Sequence, residues 1–182
     1  VGGPCLTKDP YILDSVFKKH KLKSNIIINS RKINESMIKH MFIRCKLLLA
    51  SQNKDIKKSK IFISGIAFKG IPETADTRFS TSLDLINLLL KNKCKNIYSH
   101  DFDVDKRELK NLGLKVSSIQ QGFKNADCII IMNEHKKYNQ LNIKKLLASS
   151  NKKCLFFDSW GIFQNDSIVN VKKDLIYLGI GF

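Results

Sequence analysis

The chain has 182 residues, 43% of them hydrophobic, with three prolines and nine glycines, a balance that excludes a disordered tail, a collagen-like repeat and a low-complexity linker. No apolar run reaches the roughly 18 residues of a membrane span and no charged-then-apolar leader opens the chain, so a soluble protein without a membrane partner is expected. The net charge is +16, but all except four of the 32 basic residues (Arg31, Arg44, Arg78 and Arg107) are lysines scattered along the whole length. Base-reading surfaces favour arginine forks, so specific nucleic-acid binding is not expected, while an anionic small substrate suits the charge. Five cysteines without CxxC spacing argue against a disulfide framework or a zinc site and for the reducing cytoplasm.

The first predicted element is a helix from Asp9 to about His20, with Asp9 as N-cap and Pro10 at the first helical position. A longer helix follows from Arg31 to about Gln52, where Ile33, Met37, Met41, Cys45 and Leu48 recur every three or four residues. That stripe is too long for one short neighbouring helix to cover, which predicts a symmetric dimer packed along it. Residues 53–60 are polar and read as a linker. Beyond them, short apolar runs at 60–66, 96–99, 128–132 and 154–158 read as buried strands, with Val116 in a further short strand. Helices at 82–91, 119–123 and 143–148 alternate with them. Continuous apolar strands separated by helices define an α/β fold with a parallel, doubly wound sheet, whose ligands bind beyond the carboxyl ends of the strands.

Four places carry candidate chemistry. In the segment Gly2-Gly3-Pro4-Cys5-Leu6-Thr7-Lys8-Asp9, two glycines permit close backbone approach to a ligand, and Cys5 sits where a helix N-terminus and the Lys8 ammonium favour an anion. Cys5 is there either a nucleophile or an ordinary small residue. The loop Gly65-Ile66-Ala67-Phe68-Lys69-Gly70, running on to Arg78, suits a phosphate or diphosphate without matching a standard nucleotide fingerprint; otherwise it is a βα loop in which Phe68 fills the core. The alternating carboxylates Asp101, Asp103 and Asp105 imitate a calcium loop, but Lys106 stands at the turn glycine and Leu112 at the terminal glutamate, so no metal site is expected. Trp160, after the strand ending at Asp158, either stacks on a base or, the better reading for an isolated tryptophan, roofs the core. His20, His40, His100 and His135 lack the spacing of a metal pair and read as surface or helix-end residues.

Together and in this order, GGPCLTKDPYIL, SGIAFKGIPETADTRFS, ADCIIIMNEHKKY and LFFDSWGIF resemble the UDP-glucose/GDP-mannose dehydrogenase family over essentially the whole chain. The DPY and PET tripeptides look most like the branch acting on UDP-N-acetylhexosamines or their acids. The resemblance implies a catalytic-cysteine segment with a central helical dimerisation region over residues 1–53, and a Rossmann-like UDP-sugar-binding domain over 60–182. It also implies an NAD-dependent oxidation of a sugar C6 hydroxyl to a carboxylate, as in polysaccharide biosynthesis. By motif matching, Cys5 is the nucleophile and Asp9 its catalytic acid neighbour; Gly2, Gly3, Phe68 and Lys69 contact the UDP-sugar; Lys8 and Arg78 reach the cofactor. The family's N-terminal NAD-binding domain has no counterpart here, so the chain is expected to be an inactive C-terminal portion. Trp160 stands where the family usually has an arginine.

Overall fold

The computed structural model describes residues 2–163, 168 and 174–179; the rest of the predicted second unit, 164–167, 169–173 and 180–182, lies outside the described residues. Five parallel strands, β1 (Ile61–Ser64), β2 (Ile97–His100), β3 (Cys128–Ile131), β4 (Leu155–Asp158) and β5 (Ile176–Gly179), form one sheet in the order β2-β1-β3-β4-β5. Successive side chains on a strand face opposite ways, so each apolar run serves two cores. Ile61, Ile63, Cys128, Ile130, Leu155 and Phe157 enter one, and Phe62, Ile129, Ile131 and Phe156 the other.

The first core is closed by α2 (Asn25–Ser51) and α3 (Thr81–Lys91), through Met41, Phe42, Cys45, Leu49, Leu85, Ile86 and Leu89. The second is closed by α5 (Ile119–Phe123), α6 (Ile143–Ala148) and Tyr138 on a 3-10 helix, Lys136–Gln140. In it Phe62 meets Phe123 edge-on, with ring centroids 5.6 Å apart. The helix α1 (Asp9–Lys19) packs on α2, where the Tyr11 hydroxyl donates to Glu35 at 2.9 Å and Arg31 pairs with the same carboxylate at 3.0 Å.

Several expectations are corrected. The long helix begins at Asn25, six residues earlier than the periodicity indicated, where the Ser24 carbonyl accepts from the Ile28 amide at 3.1 Å. Of the expected stripe, Met41 and Cys45 are buried against the sheet of the same chain, whereas Ile33 faces outward with Ile26 and Leu47, at 64%, 84% and 64% exposure. Lys8, not Asp9, is the N-cap residue of α1, and the Asp9 carboxylate turns instead to the Lys8 ammonium at 2.5 Å. Val116 makes one isolated bridge to Ser99. Residues 53–60 are docked on the sheet, with Ile56 buried and Lys54 paired to Asp127 at 2.8 Å.

Candidate functional site

The loops leaving β1, β3 and β4 and the segment before α1 surround a cleft of about 370 Å3. Gly2, Leu6, Met37, Ile38, Met41, Phe68, Lys69, Met132 and Trp160 supply most of its wall. The segment reaches it through a backbone bond from Gly3 N–H to the Phe79 carbonyl, 3.1 Å. Both glycines are needed for that approach. A Cβ on Gly2 would lie 2.4 Å from the Phe79 oxygen; one on Gly3, whose φ is +98°, would lie 2.8 Å from the Phe68 ring. The two glycines therefore bring the backbone against Phe79 and Phe68, which fixes where Cys5 sits. Cys5 is exposed, between the cleft residues Gly2 and Leu6, without itself forming the wall. Its carbonyl accepts from the Lys8 and Asp9 amides at 3.1 and 2.9 Å, starting α1.

Lys69 lies 5.3 Å over the Phe68 ring and has no ion pair among the described residues, which leaves its ammonium for a ligand. Two other predicted contacts stand apart from this cleft. Arg78 is exposed and bound through Nε and Nη2 to Asp76, and that guanidinium holds the Asp76 carboxyl down to about 2. The hydrogen bond and charge of Asp9 hold the exposed Lys8 ammonium above its ordinary range. Gly2, Phe68 and Lys69 are thus brought together, Gly3 and Cys5 border them, and Lys8, Asp9 and Arg78 lie outside.

The β1 exit loop is held from below and from the side. The Asp101 carboxylate accepts from the Ile66 and Ala67 amides at 2.6 and 2.9 Å, and Ser82 Oγ donates to the Gly65 carbonyl at 2.5 Å. His135 is a helix-end residue but not a surface one: it is 2% exposed and caps the 3-10 helix, its Nδ1 accepting from the Lys137 amide, which leaves Nε2 3.0 Å from Asp103 and 3.4 Å from Glu73. Lys136 closes on Glu73 at 3.0 Å and holds that carboxyl below its ordinary value. His100 is also enclosed, with Nδ1 3.2 Å from Ser64 Oγ, and burial pushes its imidazole down to about 4. The sequence carries one signal for this scaffold, a carboxylate directly after a strand at Asp101, and none that pairs His135 with residues 73 and 103.

Trp160 is half exposed, 48%, and not core. Its indole Nε1–H donates to the Met132 carbonyl at 2.9 Å, while buried Asp158 accepts from the Trp160 amide at 3.2 Å and from Phe163 N–H at 2.9 Å. Burial and the Asp158 charge push the Tyr177 hydroxyl above its ordinary value, and that hydroxyl bonds Asp158 at 3.0 Å.

A parallel α/β sheet with a lysine-bearing cleft across the carboxyl ends of β1, β3 and β4 defines a doubly wound ligand-binding domain. Residues 62–165 match the model of the UDP-glucose/GDP-mannose dehydrogenase family, UDP binding domain, and the chain belongs to that family. It is 30% identical over 183 residues to the UDP-N-acetyl-D-mannosamine dehydrogenase of Pyrococcus horikoshii, covering 100% of this chain and 38% of that protein. Its fold is similar to the solved UDP-D-ManNAc dehydrogenase of P. horikoshii, with TM-score 0.78 and 28% identity. It is also similar to the NDP-N-acetyl-D-galactosaminuronic acid dehydrogenase of Methanosarcina mazei Go1, with TM-score 0.77 and 26% identity; in both, 100% of this chain and 38% of the other is covered. The chain thus spans just over a third of the length of these relatives.

Proposed function

We propose that this chain is the cysteine-bearing, UDP-sugar-binding portion of an NAD-dependent dehydrogenase that oxidises the C6 hydroxyl of a UDP-N-acetylhexosamine to a carboxylate. The observation that carries the reading is the cleft that joins Gly2 and Leu6, on either side of exposed Cys5, to Phe68 and to Lys69, which has no ion pair among the described residues. In it, residues 1–53 form the cysteine segment and the central helix, and 60–182 the nucleotide-sugar domain. The names of the relatives, among them a UDP-N-acetyl-D-glucosamine 6-dehydrogenase of Salmonella typhi, support the N-acetylhexosamine branch.

The chemistry follows from the residues. Lys69 would neutralise the diphosphate, and Phe68, fixed against Gly3, would orient the sugar towards the cysteine. The Cys5 thiolate would add to the C6 aldehyde, hold it as a thiohemiacetal, and after oxidation carry the acyl group as a thioester until water releases the acid. Asp9, on the first turn of α1, would orient that water; its salt bridge with Lys8 keeps the two side chains within reach of each other. NAD, when bound, supplies hydride acceptance for both oxidations. Lys8 and Arg78 fit it only as outer contacts: both are exposed cations, yet each already holds a carboxylate, and residues 65–70 leaving β1 are not a GxGxxG loop. The main cofactor site therefore belongs to a separate NAD-binding domain, and the chain alone is inactive.

The exposed stripe of Ile26, Ile33 and Leu47 on α2 recurs every seven residues or a multiple of seven and supports a homodimer through that helix. No helix among the described residues is long and apolar enough to cross a membrane. A reducing cytoplasm suits a thiol nucleophile at exposed Cys5. Titration of UDP-N-acetylglucosamine and NAD separately into this chain, by calorimetry, tests the reading. Saturable binding of the nucleotide sugar without tight NAD binding is expected; no heat with any UDP-sugar at millimolar concentration refutes it. In sedimentation, Leu47→Glu should shift a dimer to monomer, and a parent chain that is already monomeric at high micromolar concentration removes the α2 interface.

A further inference from the structure

We propose that Glu73 is a positioning residue for Lys69: clasped by the segment leaving β3, it holds the β1 exit loop so that the Lys69 ammonium stands in the cleft. This rests on the reading that Lys69 meets the diphosphate of a nucleotide sugar, and adds to it what keeps that ammonium in place.

The stretch from Lys69 to Asp76 has no apolar anchor. Ile71 is 57% exposed, Pro72, Glu73 and Ala75 are exposed as well, and Gly70, though buried, has no side chain. Burial therefore does not fix this stretch, and without other tethers it would spread over many conformations.

Polar and backbone contacts fix it instead, and they fall on residues just after Lys69. Gly70 lies so close to the chain leaving β3 that a Cβ on it would be 2.4 Å from the His135 nitrogen. The Ile71 amide donates to Glu134 Oε1 at 3.3 Å. Glu73 then closes the contact, with Oε1 3.0 Å from Lys136 Nζ and 3.4 Å from His135 Nε2. On the other side of Lys69, the Phe68 amide donates to the Asp76 carbonyl at 3.0 Å, and the Ile66 and Ala67 amides donate to Asp101. The backbone is thus held on both sides of Lys69, and only its side chain reaches away, into the cleft wall.

The His135 ring accounts for a carboxylate at residue 73. Its Nδ1 accepts from the Lys137 amide, so in the neutral ring the proton is on Nε2, between Glu73 and Asp103 and aligned as a hydrogen bond to neither. A nitrogen that carries a proton is no metal ligand, so the two carboxylates converge on an N–H and not on an ion. Two carboxylates at one buried ring repel each other, which is a poor device for stability alone. What the arrangement achieves is a junction of the exits of β1, β2 and β3 at a single imidazole, with Glu73 as the link to the β1 loop. A loop fixed in advance spares the ligand the cost of ordering it.

Calorimetric titration of UDP into the unmodified chain, Glu73→Ala, Glu73→Gln, Lys69→Ala and the Glu73→Ala/Lys69→Ala pair tests the role. Charge alone predicts that removing a carboxylate near an anionic ligand tightens binding. The clasp predicts the opposite sign, a loss of roughly fivefold if the freed loop keeps Lys69 in place about a fifth of the time. Glu73→Gln retains an acceptor for His135 and Lys136 and should stay within about twofold of the parent. In the Lys69→Ala background, Glu73→Ala should cost nothing further, because Glu73 acts through the ammonium. Melting of Glu73→Ala should lie within about 2 °C of the parent, since exposed ion pairs add little to stability. UDP binding by Glu73→Ala as tight as the parent's, or tighter, overturns the proposal. So does an equal loss in both backgrounds, which would mark a general loosening of the domain. A parent chain that binds no UDP removes the nucleotide-sugar reading and this role with it, whereas a parent that binds UDP with Glu73→Ala unchanged removes the clasp alone.

Discussion

Removal of one ammonium separates a binding role for Lys69 from a structural one. Lys69→Ala deletes a cation that is partly exposed and without an ion pair among the described residues, whose recorded contact is the Phe68 ring at 5.3 Å. A cation–π contact at a partly exposed site is worth about 0.5–1 kcal/mol, so stability should fall by no more than that, a shift in Tm of about 2–4 °C for a chain of this size. A charge-assisted bond to a diphosphate is worth about 1.5–3 kcal/mol, so the same change should raise the Kd for UDP by roughly 10- to 150-fold. The two effects differ enough to be read apart by calorimetry with UDP and thermal melting on the same preparations. Raising the salt concentration should weaken the parent more than the variant, since the parent also loses the screened attraction of the Lys69 ammonium. Equal UDP affinities in parent and variant, or a destabilisation of several kcal/mol, would show that the reasoning about this loop is wrong.

Three further outcomes are expected. Gly122→Ala adds helix propensity worth about 1 kcal/mol, but its Cβ would lie 2.2 Å from Cε2 of the fully buried Phe62, and overpacking of about 1–3 kcal/mol outweighs it; a higher urea midpoint than the parent would contradict this. His100, held down to about 4 when folded against about 6.5 unfolded, binds a proton more readily in the unfolded chain, so stability is fully present above pH 6.5 and declines towards pH 4, by up to about 3 kcal/mol. Urea titrations at pH 7 and 4.5 measure the decline, and a His100→Asn chain with the same slope would assign it elsewhere. Cys5 is exposed while Cys45, Cys94, Cys128 and Cys154 are buried, so graded iodoacetamide labelling read by mass spectrometry should modify Cys5 first; earlier labelling of any of the four in the folded chain would count against it.

The buried strands were legible because β-branched and aromatic runs such as Ile61-Phe62-Ile63 and Cys128-Ile129-Ile130-Ile131 have no polar alternation, which a sheet covered on both faces requires. β5 was not, since its residues 176–178 are only half-buried and the run is short. The six-residue α4 (Lys106–Asn111) was missed because its stability comes from a cap, Asp105 accepting from the Arg107 amide at 2.6 Å, and one buried leucine, Leu109, not from a periodic face. At the site, Lys69 and the glycine pair stood out by residue type. The partners that fix them did not: that Gly3 makes room for Phe68, that His135 meets Asp103 and Glu73, and that Met132 anchors Trp160 are contacts across distant loops, which no local spacing encodes. Of the expected α2 stripe Ile33 faces outward while Met41 and Cys45 face the sheet, because periodicity gives a face and the sheet decides how much of it is covered.

The strand order has a consequence for biosynthesis. Among the described residues every strand pairing is parallel and none is a hairpin: Ile61 must find Ile97 on one side and Cys128 on the other, Cys128 must find Leu155, and Leu155 must find Ile176. Such distant partners make the loop-closure cost fall due before most of the contacts that offset it, which slows folding relative to a local topology. During synthesis, β1 emerges with one flank satisfied by β2 and the other bare until Ile131 has left the ribosome. That bare edge is Ile-Phe-Ile-Ser, an uncharged strand with no proline to deter pairing with a neighbouring chain. A chain terminated between β2 and β3 would keep the edge permanently open and should collect in inclusion bodies, whereas translation through β3 closes it from within the same molecule.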